Sequence, residues 1–264
     1  MGKMKNFYYG SVLSICSPYW IQRLVIRREQ LREKSSKMYW HQVKYSPRKM
    51  LRLKQDTSSF KTPWVPPMPP IPENSNKLYT AVLDLDQTLV HSLSTFNGDP
   101  KYRTVYSSQM ARPFYTATRP CCKEFLESIS EFYEVVLFTA GTPRYATAVI
   151  DQLIDPEQKY FDYFFYRTDC TVVDHEYVKD LSILGRDLSK TVILDDNMMS
   201  FCCHVRLSFM LIDNGILIEP WSGDEHDREL KNMINLFGEI VELNVEDVRE
   251  FLRERFQLYK VLEN

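Results

Sequence analysis

The sequence lacks the cysteine and histidine spacings of a structural metal site. Its six cysteines include no C-x-x-C pair, and its five histidines share no ligand spacing. These absences argue against a zinc site and a disulfide framework, and they favour reduced thiols inside a cell.

Long hydrophobic runs and internal repeats are also missing. The uncharged stretch over residues 7–22 is interrupted by Pro18. It is shorter than the roughly 20 residues that a membrane-spanning helix needs. With 264 residues and 44% hydrophobic content, the chain can form one substantial domain plus extensions.

Charge is distributed unevenly despite a net charge of −2. Residues 1–55 hold 13 Lys and Arg against two Glu, so this part carries +11 and the remainder −13. We therefore predict a basic N-terminal arm over residues 1–60. A solvated tail, a mitochondrial targeting or interfacial anchor, and an arm on RNA or a large assembly all fit this composition. In the last case Tyr39, Trp40 and Tyr45 would join the cations in contact.

Six prolines within residues 61–73 predict a stiff connector. A polyproline II conformation, at about 3.1 Å per residue, would extend this segment over roughly 40 Å. We assign residues 61–76 as a proline-rich linker, which leaves residues 77–264 as the folded domain with a C-terminal helix.

Acidic residues follow a buried strand in TAVLDLDQTLV, where Asp84, Asp86 and Thr88 occupy alternate positions. Two carboxylates about 6–7 Å apart on one strand face repel each other unless a cation lies between them. At the carboxyl end of a strand in an open α/β sheet they would also lie where ligands bind. The pattern favours a magnesium site with Asp84 as a nucleophile toward phosphorus and Asp86 as a proton donor. A strand that ends in a polar turn with helix-cap aspartates is the alternative.

Two later apolar runs end in the same way. EVVLFT ends at Thr139, TVIL is followed by Asp195 and Asp196, and Lys179 lies between the two runs. These residues would supply an oxyanion donor, metal-binding oxygens and a fixed cation. Phosphoryl transfer depends mainly on positioning and charge neutralisation, so this set is the expected one.

The segments DLDQT, FTA, VKDLSILGRDL and ILDDN resemble, in order, the four motifs of the haloacid dehalogenase superfamily. More narrowly, they resemble its branch of phosphatases of the RNA polymerase II C-terminal domain, over about residues 77–255. The resemblance implies a three-layer α/β fold with a mainly parallel central sheet and a small β insertion, preceded here by the extended arm. It also implies magnesium-dependent hydrolysis of phosphoserine or phosphothreonine in a protein substrate through an aspartyl phosphate.

The resemblance assigns a role to each matching catalytic position. Asp84 is the expected phosphoryl acceptor and Asp86 the general acid and base. Thr139 and Lys179 would hold the phosphoryl oxygens, and Asp195 would orient Lys179.

The remaining assignments concern the metal and the substrate. Mg²⁺ would bind Asp84, Asp196 and the backbone oxygen of Asp86. Thr88 and Arg167 would contact the substrate.

A second resemblance leads to another class of function. ILIEPWSGDEHDREL, VEDVREFL and the proline-rich run resemble the receptor subunit of the mitochondrial inner-membrane presequence translocase. This alternative is an import-receptor-like or assembly subunit with little turnover, partnered by a mitochondrial membrane complex. It implies a mitochondrial location, in the matrix or at the inner membrane, with the nucleus or cytosol as the alternative. No DNA partner is expected.

Local signals predict several elements. Thr142 and Pro143 should begin a helix that ends near Leu153. Residues 97–119 should insert two short strands, TVY and FYTAT, as a small cap that leaves the aspartates open to a protein side chain. Gln87 should point away from the site.

The end of the domain shows a helical signal of its own. Asn244 and Asp247 are candidate caps, and an apolar stripe at helical spacing runs from Val245 to Leu262. We expect this stripe to pack against the core.

Overall fold

The computed structural model describes residues 68–72, 74–173, 175–201 and 211–257. The predicted basic arm over residues 1–60, with Tyr39, Trp40 and Tyr45, lies outside these ranges. None of the described helices is long and apolar enough to cross a membrane.

Ten strands and four α-helices lie within the described residues. The strands are β1 (Tyr79–Leu83), β2 (Val90–Leu93), β3 (Arg103–Val105), β4 (Phe114–Thr118), β5 (Tyr133–Phe138), β6 (Tyr163–Phe165), β7 (Thr171–Val173), β8 (Glu176–Val178), β9 (Thr191–Asp195) and β10 (Gly215–Leu217). The helices are α1 (Cys122–Ile129), α2 (Pro143–Val149), α3 (Glu229–Glu242) and α4 (Val248–Phe256).

The central sheet contains five strands in the order β10-β9-β1-β5-β6, and every neighbouring pair is parallel. Strands β1, β5 and β9 are buried along their whole length, which explains their unbroken apolar sequences. This arrangement confirms the predicted α/β fold with a mainly parallel central sheet.

Successive residues of a strand point to opposite faces of the sheet, and here both faces are apolar. Each face is therefore covered by its own layer. Ala81 and Leu83 join one core cluster with α1, α3 and α4, whereas Val82 joins a second cluster. That second face is covered by short 3₁₀ turns, including Leu181–Leu184, together with Phe201. The three-layer prediction is thus confirmed, with one layer of α-helices and one of tighter turns.

The predicted insertion forms an antiparallel sheet in the order β2-β4-β3. Strands β3 and β4 match the predicted TVY and FYTAT segments. Strand β2 was not predicted, because its residues continue the apolar run that begins in β1. Trp221 packs on this sheet against Tyr102 and Ala117.

The helix predictions are confirmed in part. Helix α2 continues as a π-helical turn to Ile154, close to the predicted end. Helix α4 begins after Asp247, which caps it, rather than at Val245. Asn244 has a left-handed backbone (φ 45°) in the preceding turn, so its prediction as a cap was wrong.

Part of the proline-rich linker contacts the domain. Met68 is buried in the second core cluster, and its backbone N–H donates to the carbonyl of Leu184 at 3.2 Å. The Arg186 guanidinium donates to the carbonyls of Met68 and Pro69, and it also pairs with Glu134 at 2.6 Å. Met68 therefore anchors the described end of this run to the domain, whereas Pro69, Pro70 and Pro72 are exposed.

Candidate active site

Polar groups from three neighbouring strands meet at the carboxyl edge of the central sheet. Asp84 follows β1, Thr139 follows β5, and Asp195 ends β9. The register aligns Leu83 with Leu137 on one side and with Leu194 on the other, so these ends lie side by side. They line an open pocket with a volume of about 340 Å³.

Lys179 joins two of these strand ends. Its Nζ donates to Asp84 Oδ1 at 2.5 Å and to Asp195 Oδ2 at 2.6 Å. Burial by itself lowers the pKa of Lys179, but the carboxylates of Asp195 and Asp84 outweigh that effect and raise it. The lysine therefore stays charged, as a fixed cation in a phosphate pocket must.

Asp195 has both carboxylate oxygens engaged. Oδ1 accepts from the backbone N–H of Asn197 at 2.8 Å, and Oδ2 accepts from Ser200 Oγ at 2.5 Å in addition to Lys179. These contacts fix the position of Lys179 in the pocket. The geometry agrees with the orienting role expected of Asp195.

The acidic residues fit a divalent cation. Oxygens of Asp84, Asp195 and Asp196 lie within 4.8 Å of one another. Burial raises the pKa of Asp84 to about 8 despite its contact with Lys179, and the neighbouring Asp195 and Asp196 carboxylates add to the rise. Burial and the Asp195 carboxylate raise the pKa of Asp196 to about 6. Carboxylate oxygens are the ligands that Mg²⁺ prefers, and its charge would offset this excess of negative charge.

The side chain of Asp86 lies apart from that acidic group. Its Oδ1 accepts a short hydrogen bond from the hydroxyl of Tyr145, and burial raises its pKa although this bond opposes the rise. A raised pKa favours the protonated form of the carboxyl group, which is the form that a general acid needs. Of the Asp86 atoms, the backbone oxygen, and not the side chain, remains the candidate to bind the metal beside Asp84 and Asp196.

Thr139 and Arg167 lie at the opposite wall of the pocket. The Thr139 hydroxyl accepts from the backbone N–H of Gly141 at 2.9 Å. Arg167 stacks over the ring of Tyr177 at 5.0 Å and donates to the carbonyl of Ala140 at 2.5 Å. A phosphoryl group in the pocket would therefore face a hydroxyl and an exposed guanidinium.

Thr88 and Gln87, which are close to Asp86 in sequence, do not lie where we expected them. Thr88 is fully buried below the pocket, with its hydroxyl 3.5 Å from Asp196 Oδ1, and it is not among the residues that line the pocket. Gln87 was expected to point away, but it is exposed and lines the pocket. That prediction was wrong because β1 ends at Leu83 and Gln87 occupies a turn with φ 61°, where strand alternation no longer applies.

Sequence reasoning missed several residues that line the pocket or support its shape. They are Tyr145, Glu176, Tyr177 and Ser200 in the lining, and Arg119 behind the Asp86 turn. Tyr145 lies in the first turn of α2 beside the pocket, but its contacts with Ser92 and Phe114 of the insertion could not be read from the sequence. Glu176 and Tyr177 lie on the short strand β8 and Ser200 on a 3₁₀ turn, and local sequence does not specify where such short elements pack.

Residues 79–249 match the sequence model of the family described as NLI interacting factor-like phosphatase. The chain belongs to this family. It is 38% identical over 214 residues to "CTD small phosphatase-like protein 2" of Dictyostelium discoideum, covering 80% of this chain and 35% of that protein. It is 37% identical over 174 residues to the mouse "Carboxy-terminal domain RNA polymerase II polypeptide A small phosphatase 2", covering 66% of this chain and 61% of that protein.

A solved structure of Fcp1, an essential RNA polymerase II CTD phosphatase, also matches. It is 24% identical with a TM-score of 0.46, and the match covers 72% of this chain and 55% of that one. The chain thus spans less than two thirds of the length of each of these relatives.

Proposed function

We propose that this member of the phosphatase family is a magnesium-dependent enzyme that hydrolyses phosphoserine or phosphothreonine in proteins. The observation that carries the proposal is the contact of Lys179 with both Asp84 and Asp195 at the floor of the pocket. This arrangement holds a nucleophilic carboxylate beside a fixed cation. Such positioning and charge neutralisation are what phosphoryl transfer requires.

The proposed reaction has two steps, the formation and the hydrolysis of an aspartyl phosphate. A carboxylate oxygen of Asp84 attacks phosphorus, the bond from phosphorus to the leaving oxygen breaks, and Asp86 gives that oxygen its proton. In the second step a water molecule loses a proton to Asp86 and attacks the phosphorus of the aspartyl phosphate, which releases phosphate and restores Asp84. Thr139, Lys179 and Arg167 hold the phosphoryl oxygens.

Asp84, Asp196 and the backbone oxygen of Asp86 would hold the metal ion. When bound, Mg²⁺ supplies positive charge that offsets the phosphoryl oxygens. The buried hydroxyl of Thr88 would act through Asp196, its neighbour at 3.5 Å, and its predicted contact with substrate would be indirect.

The substrate class follows from the open pocket and from the relatives. The insertion contributes only three short strands, so the aspartates stay accessible to a side chain on a protein. The mouse relative is named for the C-terminal domain of RNA polymerase II, and a Schizosaccharomyces pombe relative is named "Nuclear envelope morphology protein 1". We therefore favour a phosphoprotein substrate and the nucleus. The mitochondrial location, the translocase-like receptor role and an RNA contact of the arm receive no support from these comparisons.

The test compares wild type with Asp84→Asn. The amide keeps the shape of the side chain but loses the nucleophilic charge, so hydrolysis of a phosphoserine peptide and of p-nitrophenyl phosphate should fall by roughly 10⁴-fold or more. Asp151→Asn makes the same change at an exposed position of the π-helical turn and should leave the rate unchanged. If wild type hydrolyses neither substrate with Mg²⁺ present, the enzyme proposal fails and the scaffold alternative becomes the better one.

A further inference from the structure

Three hydroxyl groups form a continuous chain that ends at the carboxyl group of Asp86. Thr116 Oγ1 lies 2.7 Å from Ser92 Oγ, and Ser92 Oγ lies 2.7 Å from the hydroxyl of Tyr145. The Tyr145 hydroxyl in turn makes its short bond to Asp86 Oδ1. Two members belong to the insertion, Ser92 on β2 and Thr116 on β4, whereas Tyr145 belongs to α2.

The direction of this chain follows from the number of protons that each group carries. A hydroxyl has one proton to donate, and Tyr145 uses its proton on Asp86. Ser92 must therefore donate to Tyr145, and Thr116 must donate to Ser92. Every proton in the chain points toward Asp86 Oδ1, which makes that oxygen the acceptor and leaves Oδ2 to carry the acidic proton.

Packing holds the ring of Tyr145 in this position. The ring lies against Phe114 of β4 with centroids 5.0 Å apart. On another side it approaches Gly141, where an added Cβ would lie only 3.1 Å from the Tyr145 ring. Contacts with the insertion on one side and with the turn after β5 on the other thus fix the position of the Tyr145 ring.

We propose that Tyr145, aligned by Ser92 and Thr116, is a positioning residue that sets which oxygen of Asp86 protonates the leaving group. This inference rests on the proposed phosphatase function. By accepting from Tyr145 at Oδ1, Asp86 keeps its proton on Oδ2 for transfer as the bond from phosphorus to the leaving oxygen breaks. In this arrangement the insertion contributes to proton transfer in the pocket, because Ser92 and Thr116 on two of its strands orient Tyr145 and, through it, the carboxyl group of Asp86.

A purely structural role would fasten the insertion to α2 without affecting proton transfer. The two roles differ in how the rate depends on the leaving group. A phosphoserine peptide releases an alkoxide, which needs a proton, whereas p-nitrophenyl phosphate releases a stable anion, which needs little help. The ratio kcat/KM reports phosphorylation of Asp84 in both cases, even when hydrolysis of the intermediate limits kcat.

The experiment measures kcat/KM of wild type and Tyr145→Phe on these two substrates with Mg²⁺. We expect a loss of roughly 10- to 100-fold on the phosphoserine peptide and of less than about 3-fold on p-nitrophenyl phosphate. Ser92→Ala keeps the ring and removes only the donor to Tyr145, so it should show the same pattern with a smaller loss. Tyr160→Phe is the matched control: it removes another tyrosine hydroxyl bonded to a carboxylate, Glu127, away from the pocket.

Equal losses on both substrates, or no loss on the peptide, would overturn the inference. Thermal unfolding of each variant shows whether it is folded, and Ser92→Ala keeps the test valid if Tyr145→Phe does not fold. The two proposals fail in different ways. An inactive wild type contradicts the phosphatase function, whereas an active wild type with a substrate-independent loss contradicts only the role of Tyr145.

Discussion

At the scale of single residues, the acidic group formed by Asp84, Asp195 and Asp196 brings three carboxylates within 4.8 Å of one another. Lys179 is the buried cation that directly contacts this group. Burial and mutual repulsion hold the pKa of Asp84 near 8 and that of Asp196 near 6, above the ordinary value of 3.8. The folded protein without metal therefore keeps protons that the unfolded chain releases.

This difference predicts how stability depends on pH. Because the pKa values are raised in the folded state, metal-free protein should lose stability as pH rises from about 4 toward about 8. Mg²⁺ competes with the same protons, so the increase in Tm caused by millimolar Mg²⁺ should be larger at about pH 8 than at about pH 5.5. Thermal unfolding measures both trends. Asp196→Asn should reduce the Mg²⁺-dependent increase, and an equal increase at both pH values would contradict this prediction.

The pocket residues at the strand ends could be predicted from sequence, because polar side chains that terminate buried apolar runs are costly unless a ligand or partner uses them. Asp84, Thr139 and Asp195 are of this kind. Tyr145 and Gln87 escaped the same reasoning, since their placement depends on the turn after β1 and on the packing of the insertion against α2. Such contacts join segments far apart in sequence, and local patterns carry no information about them.

At the scale of elements, β10 and α3 use glycine in opposite ways. A Cβ on Gly215 in β10 would lie 2.0 Å from the buried ring of Phe201, whereas a Cβ on Gly238 in α3 would meet nothing within 4 Å. The first glycine is required by close packing against an aromatic ring. The second contributes only backbone freedom to a helix.

The two glycines allow a matched prediction. Gly215→Ala should destabilise the protein by about 1–3 kcal/mol, because the ring and the strand must move apart. It should also lower activity, since Phe201 is adjacent to Ser200, which holds Asp195. Gly238→Ala should stabilise α3 by about 0.5–1 kcal/mol. Urea unfolding followed by circular dichroism measures both, and similar values for the two variants would disprove the packing argument.

Elements differed in how far the sequence predicted them. The buried strands and the Thr142–Pro143 helix start were found because their patterns are strong and local. Helix α3 was missed, although Leu230, Met233 and Phe237 occur at helical spacing on its buried face. The helix starts after Arg228, whose side chain makes no cap hydrogen bond, so no local start signal precedes these residues.

At the scale of the whole molecule, Arg119 connects parts that are distant in sequence. Its side chain is fully buried and donates to Asp227 through Nε and Nη2, both at 2.8 Å. The same guanidinium donates to the carbonyls of Gln87 and Thr88 at 3.2 Å and to Glu219 at 2.8 Å. It therefore ties the Asp86 turn to the segment that starts α3.

Loss of this guanidinium should be far more damaging than loss of a surface ion pair. Arg119→Ala removes the buried cation beside Asp227 and the five hydrogen bonds that its guanidinium donates, and we expect about 3–5 kcal/mol of destabilisation. Arg253→Ala breaks a pair with Asp213 of similar length, 2.5 Å, but on an exposed side chain, and should cost less than about 1 kcal/mol. Denaturant unfolding of both variants provides the comparison. Equal effects would show that the buried network contributes no more than the surface pair.

The central position of β1 has a consequence for synthesis on the ribosome. Strand β1 is the first strand of the central sheet to be translated, yet its neighbours β5 and β9 begin only at Tyr133 and Thr191. At about 5–20 residues per second, the roughly 110 residues between β1 and β9 take on the order of 5–20 s to appear. For most of that interval Asp84 exists without Lys179, and throughout it without Asp195. A nascent chain therefore cannot carry a competent pocket until β9 has emerged and taken its place beside β1.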